Sequence, residues 1–124
     1  MSNQKIHRIL LVDDDKDMCE SLRDVIMLTP GYAVDYFIDP FQAIETIKAA
    51  DYDLIIIDYK MPEMNGVELL AHIRESHPEV PVIMLTAFIS NDLIQQAKDA
   101  GATKVLSKVL WPSDLLEQIN SSIK

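Results

Sequence analysis

Short, unbroken runs of apolar side chains recur along the chain, and they constrain its fold more than any other feature. Three four-residue runs are continuous and contain β-branched residues, and two weaker runs accompany them: Ile9–Val12, Leu54–Ile57 and Val82–Leu85, then Ala33–Phe37 and Val105–Leu106. A strand with one face in water alternates apolar and polar residues, whereas a strand covered on both faces does not. The pattern therefore predicts five strands of a parallel sheet that is covered on both faces.

Amphipathic stretches with helix start and stop signals separate these runs. Asp39-Pro40 and Pro112 are typical of helix starts, and Pro30-Gly31, Pro78 and Gly101 are typical of helix ends. The side chains expected to face the core, helix by helix, are Met18, Leu22, Val25, Ile26 and Leu28; Phe41, Ile44 and Ile47; Val67, Leu70 and Ile73; Leu93, Ile94 and Ala97; and Leu115, Leu116, Ile119 and Ile123.

Five strand–helix pairs in 124 residues predict an α/β fold, a doubly wound (βα)5 three-layer sandwich around a five-stranded parallel sheet. A chain of this length buries about two thirds of its unfolded surface when it folds as one unit. Because two smaller units would lack adequate cores, a single domain over residues 1–124 is expected. In such sheets, ligands bind beyond the carboxyl ends of the strands.

The charge balance excludes several classes of function. Eleven Lys and Arg against 20 Asp and Glu give a net charge of −9, and such a surface repels nucleic acids and anionic lipids. We therefore expect no direct nucleic-acid binding and no membrane association. Residues 1–5 form no apolar signal region, and no run approaches the ~20 apolar residues of a membrane span, which predicts a cytoplasmic protein. The single cysteine, Cys19, excludes an internal disulfide and is interpreted as a semi-buried apolar residue.

Chemically active side chains follow four of the five predicted strands. Asp13-Asp14-Asp15 follows the first strand, Asp58 the third, Thr86 the fourth and Lys108 the fifth. Carboxylates gathered in one crevice repel one another unless a cation intervenes, and few protein ligands plus several waters favour Mg²⁺ over Ca²⁺. A carboxylate beside a metal, an ammonium and a hydroxyl is a nucleophile suited to a phosphoryl group.

At these positions the chain resembles the receiver domain of two-component response regulators. The resemblance covers nearly the whole chain and rests on separate motifs in the proper order: Val12-Asp13-Asp14-Asp15, the run Asp58-Tyr59-Lys60-Met61-Pro62-Glu63-Met64-Asn65-Gly66, then Met84-Leu85-Thr86-Ala87, Gly101-Ala102 and Lys108. It implies a flavodoxin-like topology and a phosphorylation-dependent switch in a phosphorelay. Such a switch promotes its own phosphorylation and dephosphorylation and is not a dedicated metabolic enzyme.

The resemblance also implies a role for each matching residue. Asp58 would accept a phosphoryl group from a sensor histidine kinase and become an aspartyl phosphate. Asp13, Asp14 and Asp58, with the main-chain carbonyl of Lys60, would hold Mg²⁺. Thr86 and Lys108 would contact the phosphoryl group. The surface of the fourth helix, fifth strand and fifth helix would bind an effector or form a homodimer.

Two positions depart from the family pattern. The family usually has proline after the lysine, joined by a cis bond, where this chain has Val109. A cis bond before a residue other than proline costs ~2.5–4 kcal/mol, so we expect a trans bond and a lysine that points less well at Asp58. The family also usually has an aromatic residue three positions before the lysine, where this chain has Val105. This change is expected to weaken the output switch more than the phosphorylation chemistry.

Other polar and aromatic residues receive no firm role. Asp15 and Asp17 are interpreted as solvated residues or helix caps, and the three histidines are expected on the surface away from the crevice: His7, His72 and His77. Phe88 and Trp111 are either packing residues or partner contacts, and the sequence leaves both readings open.

Two other functions compete with the phosphorylated switch. A receiver-like interaction module that does not signal by phosphorylation is favoured by Val105 and Val109, whereas the presence of Asp58, Thr86 and Lys108 opposes it. An FMN-binding electron carrier would share the topology. It would need a Ser-, Thr- or Gly-rich phosphate loop after the first strand, and the acidic run at that place has the opposite charge.

Overall fold

The computed structural model describes residues 5–123, and within that range five parallel strands form one sheet. Their spatial order is β2-β1-β3-β4-β5. The strands are β1 (His7–Val12), β2 (Tyr32–Phe37), β3 (Leu54–Asp58), β4 (Val82–Thr86) and β5 (Lys104–Ser107). The order reverses between β1 and β3, so the crevice expected at the carboxyl edge lies beyond these two strands.

Each strand is followed by a helix, and the helices cover both faces of the sheet. Side chains from α2, α3 and α4 belong to the core on one face, and those from α1 and α5 belong to the core on the other. The helices are α1 (Lys16–Ile26), α2 (Pro40–Ala49), α3 (Gly66–Ser76), α4 (Asn91–Asp99) and α5 (Pro112–Ile123). The predicted fold class is confirmed.

The unbroken apolar runs are explained by these two cores. Along β1, Leu10 and Val12 belong to the core with α2, α3 and α4, and Ile9 and Leu11 belong to the core with α1 and α5. All four side chains are at most 1% exposed. Because both faces of the sheet are covered, side chains on either face of β1 are buried, and the run is apolar throughout.

Two predicted core residues are exposed instead. Helix α1 ends at Ile26, so Leu28 lies in the following turn and is 77% exposed. Phe41 is 47% exposed because the buried stripe of α2 runs through Pro40 and Ile44, and one residue along a helix turns the side chain by about 100°. The prediction also omitted Leu69, which is fully buried.

No helix within residues 5–123 combines the length and the apolar character that crossing a membrane requires.

Candidate functional site

Three carboxylates meet at the carboxyl edge of the sheet, as the sequence predicts. Asp13 follows β1 and Asp58 ends β3, and each is only 4% exposed. Asp14, next to Asp13, is exposed. One carboxylate oxygen from each residue lies within 4.8 Å of the others, a spacing that suits a shared hard cation with oxygen ligands.

Lys108 joins this cluster from the end of β5. Its Nζ lies 3.0 Å from Asp13 Oδ2 and 3.2 Å from Asp58 Oδ2. No peptide bond in the described residues is cis, so the bond to Val109 is trans, as predicted. The expectation that a trans bond would aim Lys108 poorly at Asp58 is wrong, because the Lys108 ammonium lies within ion-pair distance of Asp58. The Lys108 backbone N–H donates to Thr86 O at 2.9 Å and holds the start of the loop after β5 beside β4.

Three carboxylates lie close together at the site, and the ammonium of Lys108 is the positive charge beside them. Burial and the neighbouring charge of Asp13 raise the pKa of Asp58 to about 6, although Lys108 opposes the shift. Burial and Asp13 also raise the pKa of Asp14. Burial by itself would lower the pKa of Lys108, but hydrogen bonds and charge from Asp13 and Asp58 outweigh it and raise that pKa. A divalent cation would relieve this repulsion, so the donor set fits Mg²⁺.

Thr86 lies at the end of β4 and is 5% exposed. Its hydroxyl accepts a hydrogen bond from Phe88 N and lies within donating distance of Phe88 O, both at 3.3 Å. The Thr86 hydroxyl is therefore hydrogen-bonded to the backbone of the loop that follows β4. To bond a group on Asp58, it must leave the Phe88 backbone.

The turn that carries Asp13 and Asp14 is fixed by contacts that the sequence analysis did not identify. Asp13 Oδ1 accepts a hydrogen bond from Asp15 N at 3.0 Å, and the fully buried Cys19 donates its thiol to Asp13 O at 3.3 Å. Burial, then the charge of Asp13, raises the pKa of Cys19 to about 12, so the thiol keeps its proton. Asp15 caps α1 by accepting from Met18 N, which confirms the capping reading.

The loop from Asp58 to α3 is held close to the strand. Gly66 N donates to Tyr59 O at 2.7 Å, and a Cβ at Gly66 would lie only 2.8 Å from Asp58 O, so glycine is needed for this close approach. Asn65 and Glu68 form a capping box at the start of α3, a signal that Asn-x-x-Glu carried in the sequence. Lys60, whose carbonyl the resemblance assigns to the metal, is exposed on this loop.

Comparison with protein families identifies the family of this chain. The model of the response regulator receiver domain matches residues 9–120. The chain therefore belongs to the receiver domain family of two-component response regulators. Members of this family partner with histidine kinases and generally bind Mg²⁺.

Individual relatives show the same likeness. The chain is 36% identical to the transcriptional regulatory protein ZraR of Klebsiella oxytoca over 110 residues, which cover 89% of this chain and 24% of ZraR. It is 32% identical to the transcriptional regulatory protein QseB of Haemophilus influenzae over 118 residues, covering 94% of this chain and 52% of QseB. The chain thus spans about a quarter to a half of the length of these curated relatives.

Solved structures of similar proteins superpose closely on the chain. A CheY-like response regulator receiver domain protein from Methanospirillum hungatei JF-1 has a TM-score of 0.90 and 30% identity, with 96% of this chain and 94% of that chain covered. The chemotaxis protein CheY4 of Vibrio cholerae has a TM-score of 0.88 and 29% identity, with 94% and 98% covered.

Proposed function

We propose that residues 1–124 form one receiver domain that acts in the cytoplasm as a phospho-accepting switch. Asp58 takes a phosphoryl group from a sensor histidine kinase in a Mg²⁺-dependent reaction, and the product alters partner binding or dimerisation. The observation that carries this proposal is the pairing of a buried Asp58 carboxylate with Lys108 at 3.2 Å, beside Asp13 and Asp14. This arrangement places one nucleophile among groups that bind a phosphoryl group and a cation.

Asp13, Asp14, Asp58 and the carbonyl of Lys60 would hold Mg²⁺. When bound, the ion neutralises the carboxylates and the incoming phosphoryl oxygens. The proposal for the cation is supported by the clustering of the carboxylate oxygens within 4.8 Å of one another.

The transfer itself uses the side chains of this chain. An Asp58 carboxylate oxygen forms a bond to phosphorus as the phosphorus–nitrogen bond of the donor histidine breaks, and the electron pair stays on the imidazole nitrogen, which takes up a proton. The ammonium of Lys108, which forms an ion pair with Asp58 before transfer, then contacts a phosphoryl oxygen. The Thr86 hydroxyl leaves the Phe88 backbone and donates to another of these oxygens.

Incubation with acetyl phosphate and Mg²⁺ is expected to add one phosphoryl group to the wild-type chain, measured by intact mass. Asp58→Ala removes the nucleophile and is expected to show no addition. The matched control is Asp17→Ala, which removes an exposed carboxylate in the first turn of α1 and should be labelled as the wild type is.

Absence of labelling in the wild type would support the alternative function, a receiver-like interaction module that does not signal by phosphorylation. The observations that favour this alternative are Val105 and Val109, the two departures from the family pattern. The ion pairs of Lys108 with Asp13 and Asp58 favour the phosphorylated switch.

The proposed output surface consists of α4, β5 and α5, and its coupling to the site is expected to be modest. Val105 pairs with Met84 on β4, two register steps before the Thr86–Ser107 pair, and its side chain is too small to fill the space that a moving Thr86 leaves. Phosphorylation should therefore change partner affinity or dimerisation by less than a hundredfold, or about 2.7 kcal/mol of coupling.

Equilibrium binding of a partner, or sedimentation for a dimer, with and without phosphorylation measures this coupling. Val105→Phe supplies a ring at the same position and is expected to increase it, whereas Val105→Ile, which adds a single methylene, should leave it near the wild-type value. A hundredfold change in the wild-type chain would contradict this prediction.

A further inference from the structure

The chain turns sharply where β5 ends, at the residues that carry Lys108. Ser107 is the last residue of β5, and Leu110 N donates to Ser107 O at 3.4 Å, which closes a four-residue turn over residues 107–110. Lys108 and Val109 are the two central residues of this turn. No described residue other than glycine has a positive φ, and no described peptide bond is cis. Among the regular turns that such a hydrogen bond closes, these conditions leave type I.

The Ser107 side chain closes the same turn a second time. Its Oγ accepts a hydrogen bond from Val109 N at 3.1 Å. Serine is favoured at the first position of a type I turn because its short hydroxyl can accept from the backbone two residues further on. The Val109 side chain is 83% exposed, so this position contributes its backbone N–H rather than packing.

A proline in place of Val109 could not form this turn. Proline has no N–H to donate to Ser107, and at the third position of a type I turn it would force Lys108 out of the right-handed helical region. Proline at that position belongs instead to a turn with a cis bond. The departure from the family pattern at Val109 therefore changes the kind of turn, and the hydrogen bond to Ser107 is available only in the turn that this chain forms.

The turn determines where the Lys108 side chain begins and which way it leaves the backbone. Lys108 N donates to Thr86 O at 2.9 Å, and the bond from Val109 N to Ser107 Oγ fixes the other side of the same residue. From this backbone the ammonium reaches both buried carboxylates, with Nζ 3.0 Å from Asp13 Oδ2 and 3.2 Å from Asp58 Oδ2. Lysine has a flexible four-carbon stem, so a fixed backbone is needed to keep its ammonium at one place.

We propose that Ser107 is a positioning residue for Lys108, because its hydroxyl holds the trans Lys108–Val109 bond in the turn that directs the ammonium to Asp58. The inference rests on the proposed function, in which Lys108 contacts the incoming phosphoryl group. Ser107 acts through the backbone of the turn and does not itself contact that group. Without the hydroxyl, the turn opens more often and the ammonium spends less time beside Asp58.

Ser107→Ala is expected to lower the rate of phosphorylation by acetyl phosphate and Mg²⁺ by about threefold to tenfold, the factor by which one hydrogen bond of ordinary strength shifts an equilibrium. Ser107→Thr keeps the hydroxyl and should stay within about twofold of the wild type. The matched control is Ser113→Ala, which removes an exposed hydroxyl in the first turn of α5 and should be labelled as the wild type is. Intact mass followed over time measures each rate.

A second background shows whether the hydroxyl acts through the Val109 N–H. Val109→Pro removes this N–H. Whatever rate Val109→Pro has by itself, adding Ser107→Ala should change that rate by less than about twofold, because the hydroxyl no longer has a donor two residues further on. An undiminished loss in this background would show that the Ser107 hydroxyl acts elsewhere, and would overturn the inference.

Unfolding equilibria test the positioning without phosphorylation. Lys108→Met removes the ammonium from Asp13 and Asp58, and denaturant unfolding gives the factor by which this change raises the unfolding constant. The same factor, measured in the presence of Ser107→Ala, should be about threefold smaller, because there the ammonium is less firmly held beside the carboxylates. If the proposed function fails and the chain is never phosphorylated, this cycle still tests the role of Ser107.

Three further results would overturn the inference. Equal factors for Lys108→Met with and without Ser107→Ala would show that Ser107 does not hold the lysine. Labelling of Ser107→Ala at the wild-type rate would show that the turn positions Lys108 without the hydroxyl. A loss in Ser107→Thr as large as that in Ser107→Ala would assign the effect to the size of the side chain.

Discussion

Asp14→Asn is expected to lower the rate of phosphorylation at limiting Mg²⁺ by about a hundredfold or more, because even residues that only support metal ligands are worth ~10–100-fold in metal affinity. Asp14 is the most exposed member of the carboxylate cluster, and partial loss of hydration together with the charge of Asp13 raises its pKa. Removing its charge therefore also removes repulsion. The metal-free variant should unfold at the same temperature as the wild type or at a higher one.

Labelling by acetyl phosphate over a range of Mg²⁺ concentrations, together with thermal unfolding, tests this prediction. Asp15→Asn is the matched control, because it makes the same chemical change at the next residue and asparagine keeps the N-cap of α1. Wild-type labelling by Asp14→Asn at limiting Mg²⁺ would show that Asp14 is not a ligand. A large loss of stability would show that its role is structural.

Arg74→Met is expected to destabilise the fold by about 3 kcal/mol, a large part of the 5–15 kcal/mol typical of a domain. The guanidinium donates to three main-chain carbonyls: Gly101 O from Nε at 3.2 Å and Nη2 at 2.6 Å, His77 O at 2.9 Å and Val80 O at 2.8 Å. One side chain thus ties the end of α3 to the turn after α4. Methionine keeps most of the apolar stem but leaves these partly buried acceptors without a donor.

Denaturant unfolding measures the loss, and Arg23→Met is the control. Arg23 pairs with the exposed side chain of Asp24 and lies 5.6 Å from the Tyr36 ring, contacts worth less than about 1 kcal/mol together at a solvent-exposed site. Arg74→Lys, which cannot form the planar fork of hydrogen bonds, should fall between wild type and Arg74→Met. Equal stability of Arg74→Met and Arg23→Met would contradict the assigned role.

The sequence predicted the parts of the site that follow directly from strand ends. Because the carboxyl ends of parallel strands meet at one edge, the sequence alone predicts that Asp13, Asp14 and Asp58 lie together, and the structure brings their carboxylate oxygens within 4.8 Å of one another. Lys108 also joins them, as the resemblance implied. The metal and phosphoryl roles of these residues remain predictions.

Local pattern was less informative where contacts join distant segments. The sequence contained no signal that Cys19 would donate to Asp13 O, because that contact depends on how α1 lies against β1. The four hydrogen bonds of Arg74 span up to 27 residues, and a surface arginine on an amphipathic helix has the same local pattern. The prediction that Phe41 faces the core was wrong, because the buried stripe of α2 begins one residue earlier, at Pro40.

By itself, the sequence determined the parallel sheet, the two-sided core and the edge at which the polar side chains gather, since each follows from periodicity and from chain direction. Only the tertiary structure decided that a trans bond after Lys108 still lets its ammonium reach Asp13 and Asp58. It also decided that Phe88 and Trp111 face water rather than a helix. Side-chain aim and exposure depend on how separate segments pack against one another, and no local pattern of residues specifies that packing.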